Sequence, residues 1–144
     1  MSKKSHTYKT VKNMNSSLAW KKILVGVDGS EHAERALKQA IEIAKRFSAE
    51  ITVVNVYHSP TGQKTSQDIL SKAKKTLENT RVKFRIVSVL SVNTPKVIDD
   101  MAEDEKFDLV VVGSRGMGAI KAFLIGSVCN KICYDSPISV LIVK

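Results

Sequence analysis

The feature that most constrains this chain is a strict alternation of pattern. Five short apolar runs, Ile23–Val27, Ile51–Tyr57, Phe84–Leu90, Leu109–Val112 and Ser139–Val143, are separated by stretches of helical periodicity. The runs are rich in Val and Ile and largely apolar at successive positions, so both their faces must be covered. After the first run, Ala33, Ala36, Leu37, Ala40, Ile41, Ala44 and Phe47 recur at steps of three and four, which predicts an amphipathic helix of about four turns. Ser30, just ahead of Glu31, is placed to cap it. Ile69, Leu70, Ala73 and Leu77 mark a second helix, with Lys72, Lys74 and Lys75 toward water, after a loop holding Pro60 and Gly62. Val97, Ile98, Met101 and Ala102 mark a third, starting near Pro95. A fourth presents Ile125, Val128, Cys129 and Ile132 to the core and closes at Pro137. The order βαβαβαβαβ with right-handed crossovers implies an α/β domain, an open doubly wound parallel sheet with helices on both faces.

Composition adds limits. The 144 residues, 43% hydrophobic and 26% charged, suit one globular domain and exclude disordered, collagen-like and disulfide-stapled chains. The net charge of +9 is uneven, because residues 1–22 hold six lysines and no acid. We read residues 1–20 as a basic, flexible tail and 21–144 as the folded domain. The tail has no Arg and only Tyr8 and Trp20 as aromatics, so nucleic-acid binding is not expected of it. It lacks the apolar core of a secretion signal, and no apolar run is long enough to span a bilayer, which points to a cytoplasmic protein without membrane contact. Cys129 and Cys133 have no second Cys or His pair to complete a zinc site and read as two small buried apolar residues.

In doubly wound sheets ligands bind beyond the carboxyl ends of the strands, where strand order reverses. Three segments occupy such ends: Val27-Asp28-Gly29-Ser30, Val56-Tyr57-His58, and Gly113-Ser114-Arg115-Gly116-Met117-Gly118. In the third, Gly113 and Gly116 bracket a turn off a buried strand, where absent side chains let backbone N–H groups approach an anion. Gly126-Ser127 follows at the head of the fourth helix, whose free N–H groups and dipole suit phosphate. Arg115 adds a forked cation. Neither a Walker A motif nor Gly-x-Gly-x-x-Gly is present.

The full spacing, Gly113-x2-Gly116-x9-Gly126-Ser127, resembles that of the nucleotide-binding universal stress proteins. The opening Lys22–Ser30 and the ending Ser136–Lys144 are similar to that family's first and last strands, so the resemblance spans about residues 21–144. It implies a Rossmann-like sheet of order 3-2-1-4-5 with an ATP or AMP site between strands 1 and 4. Position by position, it implies Asp28 on the ribose hydroxyls and Val56 beside Val27 at the adenine. It further implies Gly113, Arg115 and Gly116 in the phosphate loop, and Gly126, Ser127 and Val128 around the phosphates. Mg2+ or Mn2+ often accompanies the triphosphate in that family. Asp28 fits independently, since a carboxylate accepts from both ribose hydroxyls. The family often carries Gly near the end of strand three, where this chain has Val92-Asn93-Thr94-Pro95, a loop expected to lie away from the site.

A nucleotide-binding stress-response regulator with slow or no hydrolysis is the reading these residues favour, because no base is evident for a γ-phosphate. His6, His32 and His58 each read as surface residues, although His58 follows strand two and could border the pocket. The alternative is an ATPase or a phosphoryl- or adenylyl-transfer enzyme on the same fold. A receiver domain is excluded, because Leu90-Ser91-Val92 supplies no phosphorylatable Asp. The last strand, Ser139–Val143, is apolar and lacks Pro or a bulge, which predicts a homodimer paired along it.

Overall fold

The computed structural model of the protein describes residues 20–116 and 125–144. The lysine-rich segment before Trp20, with His6, and the positions Met117 and Gly118 lie outside the described residues. The elements alternate as β1 (Lys22–Gly26), α1 (Glu31–Phe47), β2 (Glu50–Tyr57), α2 (Gln63–Glu78), β3 (Phe84–Leu90), α3 (Thr94–Asp104), β4 (Leu109–Gly113), α4 (Ser127–Asp135) and β5 (Ser139–Val143). All five strands join one parallel sheet in the order β3-β2-β1-β4-β5. The chain winds outward from β1 to β3 on one side, then crosses to β4 and β5 on the other. The reversal therefore falls between β1 and β4.

Alternation along β1 divides the core in two. Ile23 and Val25 pack toward α1 and α2, among Ala36, Ala40, Leu70 and Leu77. Leu24 packs toward α3 and α4, among Ile98, Ala102, Cys129 and Ile132. All three β1 side chains are fully buried, and burying each contributes about 1.5–3 kcal/mol. Local signals start the helices where the sequence places them. Ser30 Oγ accepts the Ala33 N–H at 3.1 Å, and Asn93 Oδ1 accepts the Lys96 N–H at 3.2 Å ahead of Pro95. Trp20 packs edge-on against Phe47, with ring centroids 5.5 Å apart.

Three expectations need correction. Helix α4 begins at Ser127, and Ile125 and Val128 are about two-fifths exposed rather than in the core. The helix has nine residues, of which Cys129 and Ile132 are buried. That narrow stripe also leaves Cys133 exposed, while Cys129 is buried. Edge position explains the third difference: β3 leaves Arg85, Ser88 and Leu90 exposed, so its faces are not both covered.

Gly113 ends β4 against the first turn of α1. A Cβ there would lie 2.7 Å from the His32 carbonyl carbon and 2.8 Å from the Ala33 nitrogen. Backbone atoms cannot swing aside as a side-chain tip can. Gly113→Ala is therefore expected to cost about 1–3 kcal/mol through overpacking, seen as a lower urea midpoint at unchanged slope. An unchanged midpoint would show that the helix can retreat freely.

Candidate functional site

The site begins where β1 and β2 part. The Val27 N–H donates to the Val54 carbonyl at 2.9 Å, continuing the ladder by one step. In a parallel ladder the Val27 carbonyl would next accept from the Val56 N–H. Here the buried Asn55 side-chain amide donates to that carbonyl at 2.7 Å. The strands separate at this point and Val56 comes to line a cleft. The chain then turns through Asp28, whose Oδ1 accepts the Ser30 N–H at 3.0 Å. That bond orients the carboxylate, and Gly29, at φ +85°, supplies the left-handed residue the turn requires.

The end of β4 is tied down on three sides. The Ser114 N–H donates to the Val143 carbonyl and the Ser114 carbonyl accepts the Gly126 N–H, each at 2.7 Å. Ser114 Oγ lies 3.0 Å from His32 Nδ1. Gly116 follows directly against the Asp28 carboxylate, where an added Cβ would come within 2.5 Å of Oδ2. Gly126 differs, because a Cβ there would meet only ordinary contacts at 3.5 Å. Its part is to start α4 without a capping side chain, so the N–H groups of the first turn stay available.

These strand ends enclose a cleft of about 630 Å³, well within the range of small-ligand sites. The nine residues to which the family resemblance gave a role all line it: Val27 and Asp28 after β1, Val56 on β2, Gly113, Arg115 and Gly116 at β4, and Gly126, Ser127 and Val128 at α4. The two ends of the cleft differ chemically. At one, Arg115 Nε is buried with no acceptor among the described residues, beside the uncapped start of α4. An orphaned buried donor in that place fits an anion. At the other end stand Val56 and Ile98 with the hydroxyls of Thr65, Ser66 and Thr94. Asp28 lies between. Cys129 also lines the cleft. Burial, and secondarily the neighbouring Cys133, push its thiol up to about 12, so it brings no negative charge near the α4 start.

Two contributors, Asn55 and Thr94, escaped sequence reasoning. Asn55 carried a signal, as a polar residue inside an apolar run, but its role depends on where β1 stops. His58, which could border the pocket by its place after strand two, does line the cleft, and its Nδ1 is 2.8 Å from the Ser91 carbonyl oxygen. Thr94 lines it as well, which corrects the expectation that the Val92–Pro95 loop lies away from the site. His32, read as a surface residue, instead meets the buried Ser114. Among the described residues no three His, Cys, Asp or Glu side chains gather to hold a metal ion, and none of the helices is long and apolar enough to cross a membrane.

Because Gly116 touches the carboxylate but no core element, Gly116→Ala should displace Asp28 and leave the unfolding midpoint within about 0.5 kcal/mol of the parent. Crystallography of the variant would show the moved carboxylate. An unmoved Asp28 would mean that the loop yields instead.

The chain matches the model of the universal stress protein family over residues 19–144. A curated relative from Staphylococcus saprophyticus, bearing that family's name, is 36% identical over 88% of this chain and 85% of its own length. Among solved structures, a universal stress protein in complex with cAMP superposes with a TM-score of 0.73 at 28% identity, covering 87% of this chain and 97% of that one. A universal stress protein from Archaeoglobus fulgidus shares the fold at a TM-score of 0.75 and 23% identity, over 87% and 94% of the two chains.

Proposed function

The chain belongs to the universal stress protein family, and from that premise we propose that it is a cytoplasmic stress-response regulator that binds ATP or AMP with slow or no hydrolysis. The observation that carries this reading is the convergence of all nine sequence-selected residues on one cleft. The structural relative bound to cAMP supports an adenine nucleotide as the class of ligand. Asp28 accepts from the ribose hydroxyls. Arg115 and the N–H groups at the start of α4 take the phosphates. The base occupies the end beside Val56, away from these cationic and N–H donors. Asp28 is the one carboxylate among the described residues lining the cleft, so Mg2+ or Mn2+ would be carried on the triphosphate rather than held in a protein cage. Slow turnover follows from the same inventory. Asp28 Oδ1 already accepts the Ser30 N–H, His32 Nδ1 is engaged with Ser114, and His58 follows β2, on the far side of β1 from the β4 phosphate loop, which leaves no evident base for an attacking water among the described residues.

Asp28→Ala should weaken ATP and AMP alike, by about 1.5–3 kcal/mol, because ribose is common to both. Arg115→Ala should weaken ATP more than AMP, because it addresses the outer phosphates. Calorimetric titration of both nucleotides on both variants checks this, and equal losses in the Arg115 variant would count against the assignment.

We also propose that the chain forms a homodimer through β5. Among the described residues β5 pairs with β4 alone, and Val140–Val143 are only half-buried, so an apolar edge is left to pair with a copy of itself. Leu141→Lys should yield monomer in analytical ultracentrifugation. A parent chain that sediments as a monomer at micromolar concentration would sink the idea.

A further inference from the structure

The base end of the cleft holds one ring whose hydrogen-bonding sense is fixed by its surroundings. His58 directly follows β2, two residues after Val56, and both line the cleft. His58 Nδ1 is 2.8 Å from the Ser91 carbonyl oxygen. A carbonyl only accepts, so Nδ1 carries the proton, and in a neutral imidazole Nε2 is then the acceptor. Ser91 is itself anchored, its N–H donating to the Tyr57 carbonyl at 2.9 Å, which joins the end of β3 to the end of β2 and keeps the carbonyl in place. The neighbouring hydroxyls of Ser59, Thr65 and Thr94 rotate to donate or accept and cannot enforce a choice. The fixed imidazole can.

From this we infer that His58 is a specificity-determining residue, which favours a purine with an amino group at its six position over one with an oxo group there. The inference rests on the adenine-nucleotide reading above. The phosphate donors, Arg115 and the start of α4, occupy the opposite end of the cleft, with Asp28 between, so a bound nucleotide directs its base toward Val56 and His58. An exocyclic amino group donates to Nε2. An oxo group in its place sets two acceptors against each other and forfeits that hydrogen bond, the kind of mismatch by which polar sites disfavour analogues.

ATP and inosine triphosphate form the matched pair for the test, because they differ only in the six-position group and the N1 proton that accompanies it. Dissociation constants for both, and for AMP, would be measured in mildly alkaline buffer, where an imidazole is neutral. The parent protein is expected to prefer ATP over inosine triphosphate by about tenfold or more. His58→Phe, which keeps a ring but no acceptor, should bring that ratio close to one and leave the ATP-to-AMP ratio as in the parent. His58 is exposed, so folding is not at stake, and His58→Ala should behave in the same way. Two results would overturn the inference alone: equal binding of both triphosphates by the parent, or a preference that survives in both variants and so comes from backbone groups. Failure of the parent to bind either triphosphate would overturn the adenine-nucleotide reading and this inference with it.

Discussion

Ser114 is the joint on which the site depends. It is almost fully buried at the end of β4, and its N–H, its carbonyl and its hydroxyl reach three different elements: β5 at Val143, α4 at Gly126 and α1 at His32. A buried backbone group must be paired, and here the pairing does structural work, since it fixes the direction of the chain as it leaves the sheet. Arg115 and Gly116 then have one course to follow, across the mouth of the β1 turn. The Ser30 hydroxyl, which caps α1, also reaches the Arg115 carbonyl, at 3.4 Å. A single small residue in each of two turns thus brings the β4 loop and the β1 turn into register.

The opening itself is a consequence of sheet topology. β1 and β4 send their crossovers to opposite sides, so the strand ends between them are left uncovered. Asn55 sharpens the effect, because its amide takes the Val27 carbonyl as the β1–β2 ladder ends. The cleft that results has one end with N–H donors and Arg115, a carboxylate in the middle and an apolar, hydroxyl-rimmed end. That is the order in which a nucleotide presents phosphate, ribose and base. Among the described residues lining the cleft, the charges of Asp28 and Arg115 balance, and burial keeps Cys129 a neutral thiol.

Much of this was legible in the sequence, for identifiable reasons. The strand and helix periods survive because both faces of a central parallel sheet must be apolar, and β1, β4 and β5 follow their apolar runs to within a residue. The first two glycines of the spacing were legible because clearance dictates them. Gly113 abuts the α1 backbone, which cannot move aside, and a side chain at Gly116 would displace the Asp28 carboxylate. What was not legible depends on lateral placement. The Val92–Pro95 loop looks remote along the chain, yet the crossover from β3 delivers Thr94 to the cleft. Ile125 and Val128 look like core residues by period, but α4 is too short to press a wide face onto the sheet. Asn55 acquires its role only because β1 ends one residue short of it.

The central claim is that an adenine nucleotide occupies the cleft at the ends of β1, β2 and β4. Titration of isotope-labelled protein with ATP, followed through backbone amide resonances, tests it most directly. With nucleotide in the cleft, the amides that shift are those around Val27–Gly29, Val56–His58, Ser114–Gly116 and Ser127–Cys129, while those at the opposite ends of the strands, such as Ile51 and Leu109, stay in place. Spectra unchanged at millimolar ATP, or shifts confined to the lysine-rich residues before Trp20, would contradict it.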